Sequence, residues 1–423
     1  MLDRHTQPPI RDFETINLIP PRQFRLKNGI VFHLFDNERL DLIHLTIKIK
    51  AGALYEPKKR LSSFCYNLIK ESHKTMTSNE IDAFLDFYGT AFSVTAGVNQ
   101  ISINVLVPKK NCEKVIPFVA ELLTAPVFKK GNFERYKAKT IKDFEYNSRK
   151  VDYWNTQLMF NAFFEKSVPF GKLIEKSDLE SITLEEIIQF HHETCCAENI
   201  RLFATGDVDA TLIQLITDNF EQIRSYKPIP SLLPIDGNFT PRRIEEHWDN
   251  ALQTSVSLCR PIFPYNHPDA LPFRILNALF ANYFGSRLMQ NLREKNGLTY
   301  GISGGTFYYE TGGIYYIESD INNDKVDEAL NAIYKEMEVI NEALADEEEL
   351  SIVRNYLLGS ALRNIDGTVS YMESYMEWES FGCNENRFKQ YVDRIRSFTA
   401  EDIKTMANKY LQKDLFAVIT VGA

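Results

Sequence analysis

The second half of the chain repeats the element order of the first, and this repeat restricts the fold more than any other feature of the sequence. A capped helix followed by a strand is found at 181–206 and again at 397–422. The capping residues Thr183 and Thr399, and the glycines that end the two ranges, are each 216 positions apart (399 − 183 and 422 − 206). A constant offset across two elements is typical of a duplicated domain, here of the α+β class.

Within the first half, hydrophobic periodicity and turn signals predict the individual elements. A hairpin is expected at 23–35 around the Asn28-Gly29 turn, and a half-buried strand from Leu42 to Ala51. The remaining strands are predicted at 92–96, 101–107 and 200–205, and helices near 61–72, 78–88, 112–123, 132–147, 153–164, 183–193 and 211–220. The sequence therefore predicts that strands and helices are mixed in both halves.

A proline-rich stretch separates the two copies. Residues 224–239 contain Pro228, Pro230, Pro234 and Asp236-Gly237, and they show neither helical nor strand periodicity. We therefore predict an N-terminal domain at 1–223, a linker at 224–239 and a C-terminal domain at 240–423.

Composition excludes several classes of protein. With 423 residues, the chain is long enough for roughly two to three domains. The net charge of −9 argues against nucleic acid or an anionic membrane as the main partner. The N-terminal residues have no apolar signal-peptide core, and no run approaches the roughly 18 apolar residues of a membrane span. The six cysteines show no C-x-x-C spacing, which favours reduced thiols and a cytoplasmic location.

The stretch from Gly285 to Gly301 predicts a helix, a turn at Asn296-Gly297 and a strand that begins at Leu298. Glycine after a helix can adopt a positive φ, so the chain can turn at once. Arg293 in the last helical turn and Tyr300 on the strand should then lie at the same corner. Both side chains donate hydrogen bonds, as the carbonyl oxygens of a peptide substrate would require.

The run Ser-Arg-Leu-x-x-x-Leu-Arg-Glu-Lys-x-Gly-Leu-x-Tyr, which starts at Ser286, resembles the C-terminal half of the pitrilysin/insulinase-like metallopeptidases, the inverted zincins. The resemblance implies two tandem homologous domains, each an antiparallel-rich mixed sheet packed with helices, that together form half of a clam-shell. It also implies that Arg293 and Tyr300 bind substrate and stabilise the tetrahedral intermediate.

Active members of that family carry H-x-x-E-H on the helix that follows a strand ending like Ala51-Gly52 here. The five motif positions in this chain are Ser63-Phe64-Cys65-Tyr66-Asn67, so neither His nor the Glu is present. The downstream carboxylate ligand would fall near Asp143, with Glu134 and Glu145 as loose matches. Zinc prefers imidazole, thiolate or carboxylate, and Cys65 alone cannot hold it. Ser63, Tyr66 and Asn67 are therefore degenerate metal-site positions, and we expect this chain to bind no metal.

One other group of potential ligands is present. His191/Cys195 and His192/Cys196 are each four residues apart on a predicted helix. Adjacent residues on a helix point about 100° apart, so the four side chains should not converge. A half-buried helix end is the preferred interpretation, and an autonomous zinc peptidase that uses this cluster is a third, less favoured one.

A chain that has Arg293 and Tyr300 but lacks H-x-x-E-H resembles the non-zinc subunit of bacterial two-subunit members of the family. This resemblance implies a heterodimer with a homologous zinc-binding peptidase subunit, which supplies the zinc, and unfolded peptides as substrates. On its own the chain is expected to be inactive, and we leave open whether it then forms a homodimer. The alternative hypothesis is a catalytically inert scaffold or peptide-binding protein with the same fold.

Overall fold

The structure is a computed structural model that describes residues 16–37, 40–165, 167–232 and 239–423. Its strands are β1 Arg22–Arg25, β2 Val31–Asp36, β3 Leu42–Ile49, β4 Ala91–Ala96, β5 Ile101–Pro108, β6 Ile200–Gly206, β7 Arg243–His247, β8 Gln253–Ile262, β9 Thr299–Tyr309, β10 Gly312–Asn322 and β11 Ala417–Gly422. Its helices are α1 Leu61–Ile69, α2 Ser78–Phe87, α3 Cys112–Thr124, α4 Lys130–Asn147, α5 Val151–Phe164, α6 Lys176–Glu180, α7 Leu184–Thr194, α8 Ala210–Phe220, α9 Ala270–Ala281, α10 Val326–Glu342, α11 Glu347–Arg363, α12 Gly367–Ser380, α13 Asn386–Ser397 and α14 Ala400–Tyr410.

Two sheets organise the described residues. The first has the strand order β1-β2-β6-β3-β5-β4, and only β2 and β6 pair in parallel. The second has the order β7-β11-β8-β10-β9, and only β7 and β11 pair in parallel. Both sheets are therefore mixed and rich in antiparallel pairs, and both are packed with helices. The predicted α+β fold class with two homologous domains is confirmed.

The repeat seen in the sequence corresponds to matching elements in space. Helices α5 and α12 begin at residues 151 and 367, and α7 and α14 begin at 184 and 400, which in both cases is an offset of 216. The caps also match, because Thr183 and Thr399 each accept a hydrogen bond from the backbone N–H of the third helical residue. The side chain of that residue, Glu186 or Asp402, bonds back to the cap, which starts both helices at the same place.

The two halves exchange one helix each. Helix α5 of the first half packs on β8 and β11 of the second sheet, and α12 of the second half packs on β2 and β6 of the first. Buried Asn155 on α5 donates from Nδ2 to the carbonyl oxygens of Ser255 at 2.8 Å and Ile419 at 3.2 Å. On the other side, the edge of Tyr371 on α12 meets the ring of Phe35 with 5.1 Å between centroids. Each sheet thus depends on a helix from the other half.

Part of the predicted linker at 224–239 lies outside the described residues, as does the N-terminal segment that was considered for a signal peptide. The part of the linker that is described contacts both halves. Ser231 Oγ donates to Glu310 Oε1, between β9 and β10 of the second half, at 2.6 Å. The carbonyl oxygen of Arg224 accepts from Ala197 N at 3.0 Å, and Ile229 N donates to Asn199 Oδ1 at 3.0 Å. The domain boundaries at 223 and 240 stay a prediction.

Candidate functional site

The corner predicted at 285–301 is built on a short π-helix rather than an ordinary α-helix. The π-helix spans Met289–Lys295, and Leu292 within it is fully buried. It ends before Gly297, whose φ of +59° lies in the left-handed region that glycine adopts without strain. Strand β9 follows immediately. The wider turn of a π-helix was not visible in the periodicity, and such turns are frequent at functional sites.

An ion pair holds this π-helix against the body of the second half. Arg287 Nε and Nη2 donate to the two carboxylate oxygens of Glu349 on α11, both at 2.7 Å. The two parallel bonds constrain the angle of the guanidinium as well as its distance. The segment that carries Arg293 is therefore fixed to α11 from one side.

Arg293 and Tyr300 line the same cleft, which has a volume of about 280 Å³. The Arg293 guanidinium lies over the ring of Phe284, 4.9 Å from its centroid, and its Nε is 3.4 Å from Glu294 Oε1. Tyr300 is 90% exposed, and within the described residues its hydroxyl has no hydrogen-bond partner. Two side-chain donors thus face an open cleft.

A β-bulge directs Tyr300 into solvent. Ser319 on β10 pairs with Ile302 on β9, and Ile321 on β10 pairs with Thr299 on β9. Between these two pairs β10 advances by two residues and β9 by three, so β9 contains one extra residue. Ile302 is buried, and strict alternation along β9 would place Tyr300 on the same buried face. The extra residue interrupts the alternation and reorients the side chain. This device could not be found from the sequence, because it depends on the pairing with β10.

The positions that we predict as degenerate metal-site positions lie on α1, and backbone groups or core residues satisfy their polar atoms. Ser63 Oγ donates to the carbonyl oxygen of Arg60 at 2.9 Å, and Asn67 Nδ2 donates to that of Ser63 at 2.8 Å. Tyr66 is fully buried, and its hydroxyl is 2.8 Å from Thr194 Oγ1. These oxygens and amides are poor ligands for Zn²⁺, and their arrangement does not fit a zinc site.

Helix α4 presents a phenol to this place instead of a carboxylate. Tyr136 Oη lies 3.4 Å from the carbonyl oxygen of Ser63, and its ring meets Phe64 edge-on with 5.1 Å between centroids. Burial raises the pKa of Tyr136. Asp143, named as the nearest match for the missing carboxylate ligand, is exposed, and Glu145 pairs with a lysine at 2.7 Å. The space between α1 and α4 is therefore closed by aromatic packing.

The cluster at the end of α7 is not a metal site. His191 Nε2 and Cys195 Sγ both contact the carbonyl oxygen of Leu123, at 2.9 and 3.5 Å. Burial lowers the pKa of His191 to about 4. His192 is exposed whereas Cys196 is buried, so that pair points in different directions. In the described ranges, no three His, Cys, Asp or Glu side chains are grouped to hold a metal ion, so the interpretation of this cluster as a zinc site is wrong.

A second cleft was missed by sequence reasoning. It has a volume of about 400 Å³ and lies in the second half, lined in part by Tyr265, Arg274, Glu377, Arg387 and Tyr391. We call it the arginine cleft. One signal was available, because α9 is an apolar helix apart from Arg274 and Asn277. The other wall residues come from distant segments and carry no common pattern.

None of the helices in the described part of the chain is both long enough and apolar enough to span a membrane.

Comparison with known proteins supplies relatives over more than nine-tenths of the chain. Residues 36–169 match the family model described as insulinase (peptidase family M16), and residues 181–357 match the model described as peptidase M16 inactive domain. An uncharacterized zinc protease of Rickettsia felis is 24% identical over 419 residues, which are 94% of this chain and 96% of that protein. The probable inactive metalloprotease YmfF of Bacillus subtilis is 20% identical over 424 residues, 93% of this chain and 97% of that protein.

Two solved structures share the fold. A protease from Helicobacter pylori superposes with a TM-score of 0.87 at 17% identity, covering 96% of this chain and 100% of that one. A peptidase M16 inactive domain from Pseudomonas fluorescens has a TM-score of 0.85 at 16% identity, with 96% and 98% covered.

Proposed function

This chain belongs to the pitrilysin/insulinase-like peptidases of family M16, and from that premise we propose that it is the non-zinc subunit of a heteromeric zinc peptidase. In this proposal a homologous partner subunit carries H-x-x-E-H and the zinc. Our chain supplies Arg293 and Tyr300 to the peptide bound at that zinc. Unfolded peptides are the proposed substrates.

The observation that carries the proposal is the exposure of Tyr300 beside Arg293 in one cleft. A bulge turns the ring into solvent, although alternation along β9 would bury it. An exposed aromatic ring contributes no burial free energy to folding. The position of Tyr300 therefore suits a contact that forms only with another molecule.

The chemistry assigned to the two residues follows from their donors. The partner subunit would hold the zinc, which would supply an activated water for attack on the peptide carbonyl, and negative charge would then develop on the carbonyl oxygen. The Tyr300 hydroxyl donates a hydrogen bond to that oxyanion, and the Arg293 guanidinium anchors the substrate backbone. The degenerate positions Ser63, Tyr66 and Asn67 take no part in this chemistry.

The test uses the chain reconstituted with a homologous subunit that carries H-x-x-E-H. Tyr300→Phe should lower kcat about 10²- to 10³-fold, which is typical for the loss of one oxyanion donor. Assembly, measured by sedimentation velocity, should not change. Tyr146→Phe is the matched control, since Tyr146 is 64% exposed on α4. Full activity of the Tyr300→Phe pair would refute the catalytic role of Tyr300.

An inert scaffold or peptide-binding protein is the second candidate function. The closure of the space between α1 and α4 by Phe64 and Tyr136 agrees with it. The exposed Tyr300 distinguishes the two, because a scaffold does not need its hydroxyl. If the partner subunit cleaves peptides equally fast with wild-type chain and with an Arg293→Gln, Tyr300→Phe variant, the scaffold is the better description.

A further inference from the structure

The arginine cleft has no role in the proposed function, and its chemistry points to a ligand. Arg274 on α9 lines the cleft, and its side chain is exposed to solvent there. Its guanidinium carbon lies 4.4 Å from the centroid of the Tyr391 ring. Among the described residues, it forms no hydrogen bond and no ion pair within 4.0 Å. A guanidinium that is exposed in a cleft, stacked on an aromatic ring and without an acidic partner is available to bind an anion.

A second guanidinium in the same cleft is fixed by the protein. Arg387 Nη2 donates to the carbonyl oxygen of Tyr265 at 2.8 Å, and its guanidinium lies over the Tyr265 ring at 5.2 Å. Glu377 is the acidic group that faces Arg274, but it forms no ion pair with it within 4.0 Å. Two arginines and one glutamate are the charged residues that line the cleft, so its net charge is +1, which favours a singly charged anion.

Aromatic rings form the rest of the wall. Tyr265 and Tyr308 meet edge to face with 5.2 Å between centroids, and Tyr391 lies under Arg274. Burial raises the pKa of Tyr265, Tyr308 and Tyr391, so their hydroxyls stay neutral. Neutral phenols present both flat apolar faces and hydroxyl donors. The cleft therefore suits a ligand with an apolar or aromatic body and one anionic end.

The position of the cleft in the repeat also distinguishes it. Helices α9 and α11 pack together in the second half as α1 and α4 do in the first. In the first half this space is filled by Phe64 and Tyr136. In the second half the equivalent space is an open cleft of about 400 Å³. The second half thus keeps a concave space where the first half is packed, and such a space suits a ligand.

We propose that the arginine cleft binds the carboxylate of a residue with a large apolar side chain, either the C-terminal residue of a peptide or a free amino acid. Arg274 forms the paired hydrogen bonds that a planar guanidinium makes to a carboxylate. The tyrosines receive the side chain. Gly305, which lines the cleft, is five residues beyond Tyr300 on β9, about 17 Å at the usual rise of a strand. The site is therefore separate from the cleft that contains Tyr300.

Isothermal titration of the purified chain tests the proposal with four probes. These are a tetrapeptide ending in phenylalanine, the same peptide as its C-terminal amide, free L-phenylalanine and inorganic phosphate. The free-acid peptide should bind about ten- to a hundredfold more tightly than the amide, the usual value of a hydrogen bond to a charged group. Free phenylalanine binding as tightly as the peptide identifies the amino acid as the source. Equal binding of acid and amide, or a preference for phosphate, overturns the proposal.

Variants assign the binding to the cleft. Arg274→Gln should lose the preference for the free acid, whereas Arg363→Gln, an exposed arginine at the end of α11, should keep it. Glu377→Gln should tighten binding about two- to fivefold, because it removes a like charge from the wall. Tyr300→Phe should leave binding unchanged, so this test stands or fails independently of the proposed peptidase role.

Thermal unfolding distinguishes a role of Arg274 in binding from a role in the fold. An arginine without an acidic partner should add little to folding, so Arg274→Gln should unfold at the wild-type temperature or above. Arg274→Lys keeps the charge but not the planar fork, and it should bind the free acid with intermediate affinity. If Arg274→Gln unfolds earlier and still prefers the free acid, Arg274 supports the fold and the proposal is wrong.

Discussion

At the scale of single residues, Tyr66 packs in the core at the position that we predict to match the Glu of H-x-x-E-H. The side chain of Tyr66 is fully buried. Its ring meets Phe190 of α7 edge to face, 6.4 Å between centroids, and its hydroxyl bonds to Thr194. A residue that contacts α7 in the core is no longer free to polarise a water molecule.

Two substitutions at Tyr66 test this packing role. Tyr66→Phe should lower the free energy of unfolding by about 1 kcal/mol, since it removes one hydrogen bond and keeps the ring. Tyr66→Glu, which restores the motif residue, should lower it by about 3 kcal/mol or more, because it buries an unpaired carboxylate. Urea denaturation measures both. Wild-type stability of Tyr66→Glu would show that position 66 has access to water.

At the scale of elements, the start of α1 depends on a carboxylate outside the helix. Arg60 precedes the helix with a φ of +73° and offers no side-chain cap. Glu56 replaces the cap, as its Oε1 accepts from Arg60 N at 2.8 Å and its Oε2 from Ser62 N at 2.9 Å. Glu56 is only 3% exposed, and burial raises its pKa from 4.5 to about 7 despite these bonds.

The raised pKa of Glu56 makes stability depend on pH. Between pH 4.5 and 7 the folded chain holds a proton on Glu56 that the unfolded chain has lost, so stability falls as pH rises. The full change is about 3 kcal/mol. Glu56→Gln removes it. Burial lowers the pKa values of His33 and His191 to about 4, which makes stability rise with pH. This contribution is the same in the wild type and in Glu56→Gln, so it cancels in their difference.

The measurement is therefore the difference in unfolding free energy between the wild type and Glu56→Gln in urea at pH 5 and pH 7.5. The wild type should lose stability relative to the variant as pH rises. A difference that does not change with pH would mean that Glu56 is already ionised at pH 5.

At the scale of the whole molecule, the exchange of α5 and α12 joins the two halves. Leu158, Met159, Phe163 and Phe164 of α5 form one buried cluster with residues of β8, β10 and β11, including Ile419. The cluster crosses between halves, so neither sheet has a complete core without the other. Independent domains with a flexible linker would instead have separate cores.

This exchange predicts that the halves do not fold separately. A fragment of residues 240–423 lacks α5 and exposes the apolar face of β8 and β11, so it should aggregate when expressed alone. Coexpression with residues 1–239 should restore a folded complex, and the intact chain should unfold in one calorimetric transition. A monomeric, folded 240–423 fragment on size-exclusion chromatography, with native-like circular dichroism, would contradict the exchange as a requirement for folding.

Most helices and strands could be predicted from the sequence because their signals are local. The hairpin at 23–35, the strand from Leu42 and helix α5 follow from turn residues and apolar spacing within one segment. The π-helix at Met289–Lys295 is one exception, since its apolar spacing resembles that of an α-helix end, and the short helix α6 is another.

Sequence alone determined the duplicated α+β architecture and the family resemblance, and it predicts that the zinc ligands are missing. Each depends on residue identity or on spacing along the chain: Ser63 and Asn67 cannot replace two histidines in any fold. Tertiary structure decided that Tyr300 points into solvent, that α5 and α12 change places, and that Arg274 faces an open cleft. Those outcomes depend on strand register and on packing between segments, several of which are more than a hundred residues apart in the sequence. In such places the neighbours in space set the direction of each side chain.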